Sequence, residues 1–156
     1  MSFLVRKITE KDFDNGFFET LSNLTVVGDI YSNDELKRDV IGKVLGDQNY
    51  IIIVAEDLES KKIIGTATLL IEQKFIHNGG KVGHIEDVAT RKGFEGRGVG
   101  RKIINELIKL AREQGCYKII LDCDAKVAKF YEKLGFAKKG IMMRMDLNAK
   151  FGAIYL

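Results

Sequence analysis

An α+β fold, with a mixed, mostly antiparallel central sheet flanked by helices, is predicted by three features of the sequence. Residues 50–90 take up the two-residue period of strands and are interrupted by turn-forming stretches at 57–60 and at Asn78-Gly79-Gly80, which makes an antiparallel meander. Residues 97–114 read as a long amphipathic helix between two short apolar strands, so the second strand returns parallel to the first through a crossover. Helical patterns before and after the meander supply the layers that cover the sheet.

The elements follow in order. Residues 3–8 alternate as a first strand, and Thr9 stands three residues before Asp12 as the N-cap of a helix carrying Phe13, Phe17, Phe18 and Leu21. Residues 23–29 form a loop. After Ser32 a second helix places Leu36, Val40, Ile41 and Val44 at helical spacing and ends at Gly46. Strands are predicted at 50–56, 62–76 and 82–90. The helix over 97–114 gathers Ile103, Ile104, Leu107, Ile108 and Ala111 on one face and closes at Gly115. Residues 118–122 are short and apolar enough for a buried strand. Asp124 caps a last helix with Val127, Phe130, Tyr131 and Leu134 at i, i+3, i+4 and i+7, and 136–147 return as a final strand.

The chain has 156 residues, 46% hydrophobic and 30% charged, which fits one globular domain, read as residues 1–147 with a tail at 148–156. The longest apolar stretch, residues 50–55, is far below the ~18 residues a membrane helix needs, and the N-terminal residues lack a signal-peptide pattern, so a cytoplasmic protein without a membrane partner is expected. The two cysteines, Cys116 and Cys123, lack zinc or redox spacing and suit a reducing compartment. A net charge of +3 spread along the chain does not suggest nucleic acid binding. His77 and His84 stand too far apart, with too little support from cysteines, for a metal site.

The most informative segment, residues 84–100, reads HIEDVATRKGFEGRGVG. Its glycines open the long helix, where unpaired N–H groups and the positive end of the helix dipole favour an anion. The loop is neither a dinucleotide fingerprint, because Arg101 stands where that motif needs glycine, nor a Walker loop. Arg97, Arg101 and Lys102 surround a helix start that disfavours cations by ~0.3–1 kcal/mol each, a conflict that a bound anion removes. Glu86 and Asp87, adjacent on a strand, are expected on opposite faces, one of them in a cleft as a base or amine anchor. Asp122 closes an apolar strand, and Tyr131 lies on the helical stripe that follows it.

The element order and this loop resemble the GNAT superfamily of acetyl-coenzyme A dependent N-acetyltransferases, whose pyrophosphate loop opens the helix after the fourth strand. His84-Ile-Glu-Asp-Val, Gly115-Cys-Tyr-Lys-Ile-Ile-Leu-Asp-Cys-Asp124 and Lys129-Phe-Tyr-Glu-Lys-Leu-Gly-Phe136 are similar to the eukaryotic-type glucosamine 6-phosphate N-acetyltransferases, and the likeness runs from Thr20 to the last predicted strand. The resemblance implies a cytosolic homodimer that acetylates glucosamine 6-phosphate on the way to UDP-N-acetylglucosamine, with acetyl-coenzyme A as cosubstrate and no metal.

It further implies that Glu86, Asp87 and Val88 line the coenzyme and sugar sites and that Phe94, Glu95, Gly96, Arg97, Gly98 and Val99, with Gly100 and Arg101, hold the pyrophosphate. Thr25, Lys74, Phe75, Ile76, His77, Tyr117, Lys118 and Asp122 are implied to meet the sugar phosphate. Asp122, helped by Glu86, takes the role of base, and Tyr131 faces the departing sulfur. Three positions depart from that family. Glu95 stands where glutamine or arginine is usual and is expected to turn away from the phosphates; Val127 replaces an asparagine; and the C-terminal arginine that contacts sugar phosphate has no direct counterpart, leaving Arg144 as a substitute on the same predicted strand face. The residues are also compatible with acetylation of another small amine or a protein N-terminus, or with a noncatalytic acyl-coenzyme A binding module.

Overall fold

The computed structural model describes residues 2–147. In chain order the elements are β1 (Phe3–Lys7), a 3-10 turn (Glu10–Asp14), α1 (Phe17–Leu21), a second 3-10 turn (Gly28–Tyr31), α2 (Asp34–Gly46), β2 (Tyr50–Asp57), β3 (Ile63–Gln73), the four-residue α3 (Ile76–Gly79), β4 (Lys81–Thr90), α4 (Val99–Glu113), β5 (Cys116–Ile120) and α5 (Ala125–Glu132). The five strands form one sheet in sequential order, antiparallel from β1 to β4 and parallel between β4 and β5. The mixed α+β fold is the one expected from the sequence. The chain divides between Leu121 and Asp122 into two units, taken separately below.

In the first unit both faces of the sheet are covered. Ile63 to Leu69 of β3 are buried without a break, as a strand with layers on both sides requires. Ile52 and Val54 join Ile8, Phe13, Phe17, Phe18 and Ile63 in one apolar cluster. On the other face α4 lays down Val99, Ile103, Ile104, Leu107 and Ala111, all buried. Gly65 permits this approach: a Cβ there would collide with Val99 Cγ1 and stand 2.8 Å from Ile103 Cδ1. At the sheet edge Arg6 grips the buried Asp12 with two bonds, of 2.7 and 2.8 Å, and reaches Glu56 of β2 at 2.6 Å.

Several expectations are corrected. The first helix is broken at Gly16, whose φ of 97° is left-handed, into a 3-10 turn and α1. Thr9 is the N-cap of the 3-10 turn, as expected, and forms a capping box with Asp12, whose carboxylate accepts the Thr9 N–H at 2.7 Å and the Thr9 hydroxyl at 3.0 Å. α2 is capped by Asn33, whose Oδ1 accepts the Leu36 N–H at 3.0 Å. β3 stops at Gln73, so Lys74 to Ile76 lie beyond the strand, with Ile76 opening α3. β5 starts at Cys116 and ends before Asp122, and as an edge strand with β4 as its neighbour it leaves Tyr117 and Ile120 about two-fifths exposed.

The expected opposition of Glu86 and Asp87 also fails. Thr68 pairs with Glu86 but Thr66 pairs with Ala89, so Asp87 and Val88 together face the single residue Ala67. This bulge puts Asp87 at a φ of 52° and interrupts the alternation of side chains. In the second unit residues 136–147, expected as a final strand, form none. The tail 148–156 lies outside the described residues.

Candidate active site

The start of α4 is built for an anion. Gly96 and Gly98 have φ values of 72° and 83°, conformations that a side chain would strain, and a Cβ at either would meet nothing within 4 Å, so the turn presents open backbone. The first bond of the helix runs from the Lys102 N–H to the Gly98 carbonyl at 3.1 Å. The N–H groups of Val99, Gly100 and Arg101 therefore precede the helical ladder, at the positive end of a fifteen-residue dipole. Arg97 places its guanidinium 5.5 Å from the Phe94 ring centre. Backbone donors in an open turn with Arg97 and Arg101 beside them suit the two negative charges of a pyrophosphate.

Glu95 does not join that donor set. Its carboxylate turns back onto the turn, accepting the Gly93 N–H at 2.6 Å and the Asn23 side-chain amide at 3.0 Å. Main-chain N–H groups at Glu95 itself and at Gly93 hold this carboxyl below its ordinary pKa, with Asn23 adding to the effect.

A cleft of about 230 Å³ lies between the α1–α2 region and the sheet, with Phe18, Thr25, Ile41, Tyr50, Thr68 and Asp87 among its walls. Asp87 remains open to solvent at its mouth, yet the apolar surroundings raise the pKa of its carboxyl. Tyr50 is half-buried there, and its hydroxyl is pushed up first by burial and then by the charge of Asp87, against a hydrogen bond from Thr68. Thr25 and Asp87 are thus brought together. Tyr50 and Thr68 were absent from the sequence expectations. Their one signal, alternation with Ile52 in β2 and with Thr66 in β3, is the pattern of ordinary core positions.

The β3–β4 connection holds two further groups. Glu72 binds Lys74 through Oε1 and meets His84 Nε2 at 2.7 Å through Oε2. The ring of His77, at a left-handed φ of 52°, lies 4.5 Å from that of Tyr117, and Lys118 Nζ stands 5.6 Å from the same tyrosine ring. His77, Tyr117 and Lys118 therefore form one cluster, while Lys74 is turned toward Glu72. Phe75 is fully exposed and Ile76 largely so.

In the second unit Asp122 lies two residues beyond β5, and Asp124 is the N-cap residue of α5. Tyr131 is buried, with edge-to-face contacts to Phe130 at 4.9 Å and Phe136 at 5.9 Å. Burial raises its hydroxyl pKa, and the charges of Cys123 and Asp122 raise it further. Arg144 is no longer on a strand face; its Nε donates to Asp146 at 2.7 Å within an irregular segment.

The sequence matches the profile of the Acetyltransferase (GNAT) family over residues 18–136. It is 39% identical to glucosamine 6-phosphate N-acetyltransferase of Arabidopsis thaliana over 142 residues, 91% of this chain and 95% of that protein. The chain belongs to the GNAT acetyltransferase family. A glucosamine 6-phosphate N-acetyltransferase of Candida albicans is 38% identical over 143 residues, 90% of this chain and 93% of the relative. The crystal structure of the Arabidopsis thaliana enzyme superposes with a TM-score of 0.89, covering 95% of this chain and all of that one at 37% identity.

The GNAT match takes in most of α1 and of the cleft lining, the α4 loop and α5, and stops short of Arg144. Among the described residues no group of three or more His, Cys, Asp or Glu side chains is placed to hold a metal ion, and no helix is long and apolar enough to cross a membrane.

Proposed function

We propose that this GNAT protein transfers the acetyl group of acetyl-coenzyme A to the amine of glucosamine 6-phosphate, giving N-acetylglucosamine 6-phosphate for UDP-N-acetylglucosamine synthesis. The observation that carries this reading is the likeness, over nearly the whole chain, to enzymes of that name. The site chemistry agrees with it. Lys74 and Lys118 offer cations, and His77 a ring nitrogen, for a sugar phosphate, and Glu86 and Asp87 offer carboxylates for an ammonium group.

Acetyl-coenzyme A supplies an activated acyl thioester. The backbone N–H groups of 99–101 with Arg97 and Arg101 hold its pyrophosphate. Val88 lines the acyl end and offers its main-chain N–H to the thioester oxygen. The amine must lose a proton before it attacks, and Asp122, aided by Glu86, takes it. Tyr131 serves the leaving thiolate as a hydrogen-bond donor. With unperturbed values of ~10 for tyrosine and ~8.5 for a thiol, full proton transfer is uphill by about 2 kcal/mol, and the raised pKa of Tyr131 makes it steeper.

The protein acts as a cytoplasmic homodimer in this reading, with a second copy covering the exposed Phe75 and Ile76 and the outer edge of β5. Both cysteines are free thiols, in keeping with that compartment. The test is coenzyme A release with glucosamine 6-phosphate, unphosphorylated glucosamine and a peptide amine as acceptors. Strong preference for the sugar phosphate is expected; equal rates with all three, or no rate with the sugar phosphate, overturn the reading. Asp122→Asn should abolish most turnover at neutral pH while leaving coenzyme binding in place.

A further inference from the structure

Glu95 is the one position of the α4 loop that phosphate binding does not explain, since a carboxylate adds negative charge beside the phosphates and cannot donate to them. Its contacts point to another task. Oε2 accepts the Gly93 N–H at 2.6 Å, and Oε1 accepts the Asn23 side-chain amide at 3.0 Å. The same amide donates to the Thr90 carbonyl, the last of β4, at 2.7 Å. Asn23 lies two residues past α1, and Thr25, two residues further on, lines the cleft that holds Asp87. One carboxylate thus joins the turn leading into α4 to the segment that walls the cleft, across 72 residues of sequence.

We infer that Glu95 is a positioning residue which, through Asn23, couples the order of the coenzyme loop to the order of the cleft wall. The inference rests on the acetyltransferase reading above. A strut that makes two segments order together makes binding at either site favour binding at the other, by the same factor in both directions. A carboxylate is required because both partners are donors. Glutamine has one acceptor oxygen, so its amide group would face a second N–H group.

The test is titration calorimetry of coenzyme A into the full chain, with and without glucosamine 6-phosphate, for wild type, Glu95→Gln, Asn23→Ala and the double variant Asn23→Ala with Glu95→Gln. Wild type should bind coenzyme A about fivefold or more tighter when the sugar phosphate is present. Each single variant should lose most of that enhancement and raise both KM values more than it lowers kcat. The double variant should lose no more of it than either single variant, because both substitutions remove the same strut. Tighter coenzyme binding by Glu95→Gln with no effect of Asn23→Ala, or additive losses in the double variant, overturns the coupling. Absence of coenzyme binding in wild type overturns the acetyltransferase reading itself.

Discussion

His84 Nε2 lies 2.7 Å from Glu72 Oε2 across the β3–β4 ladder, and the other oxygen of that carboxylate holds Lys74. The hydrogen bond from Lys74, and after it that from His84, keeps the Glu72 carboxyl below its ordinary pKa, so the arrangement should survive acidification to about pH 4. A lysine tethered this way has already lost much of its rotamer freedom before a phosphate arrives. Glu72→Gln is therefore expected to raise the KM for glucosamine 6-phosphate several-fold and leave kcat/KM for unphosphorylated glucosamine nearly unchanged. A fall in KM for the sugar phosphate would mean that Glu72 competes with the phosphate for Lys74.

Tyr131 is held protonated well above neutrality by burial and then by the charges of Cys123 and Asp122. Its tyrosinate absorbance, taken as the difference between wild type and Tyr131→Phe, should emerge only above about pH 10. In the proposed reaction Tyr131→Phe removes one hydrogen bond to the leaving sulfur and should lower kcat about tenfold, the equivalent of ~1.4 kcal/mol, with little change in coenzyme affinity. Equal losses in kcat and affinity would make Tyr131 a packing residue.

What could be read from sequence, and what could not, divides along physical lines. The meander and α4 are legible because strand period, turn residues, glycine opening and an apolar stripe all agree. The left-handed backbone at Asp87 is not, because a bulge arises from the register of two strands, and the sequence of neither displays it. Tyr50 is hidden for a related reason: at the edge of an apolar strand it has the pattern of a core residue, and only the cleft beside it separates the two roles. The exposure of β5 follows from its place at the sheet edge, which a short apolar run does not reveal. Glu95 is legible as an anomaly, while its partner Asn23 lies too far away in sequence to be found without the fold.

Asp87 is expected to trade stability for function. Because folding raises its pKa, the folded protein binds more protons than the unfolded chain between the ordinary and the raised value, so stability falls as pH rises through that window and the loss is complete above it. Asp87→Asn removes this contribution and, since asparagine tolerates a positive φ, keeps the bulge. The variant should unfold at a slightly higher temperature than wild type at about pH 7, with the difference shrinking toward about pH 4, and should have a raised KM for the amine. Thermal unfolding at the two pH values decides the first point. A variant less stable than wild type at neutral pH would show that the carboxylate supports the fold.

Gly65 sets the position of the glycine-rich α4 turn from beneath. A methyl group there would collide with Val99 Cγ1 and stand 2.8 Å from Ile103 Cδ1, and both side chains are fully packed against the sheet. β-Branched residues have little χ1 freedom in a helix, so the first turn of α4 must move outward and carry the N–H groups of 99–101 with it. Gly83 is the natural comparison, because a Cβ there would meet Leu69 Cδ1 at 2.9 Å and Ala111 Cβ at 3.6 Å, toward the other end of α4. Both Gly65→Ala and Gly83→Ala should cost about 1–3 kcal/mol of stability by overpacking, measured by urea unfolding. Only Gly65→Ala should also raise the KM for acetyl-coenzyme A, because only it displaces the end of the helix proposed to hold the pyrophosphate. If the two substitutions raise that KM equally, the α4 N-terminus is not what binds the coenzyme.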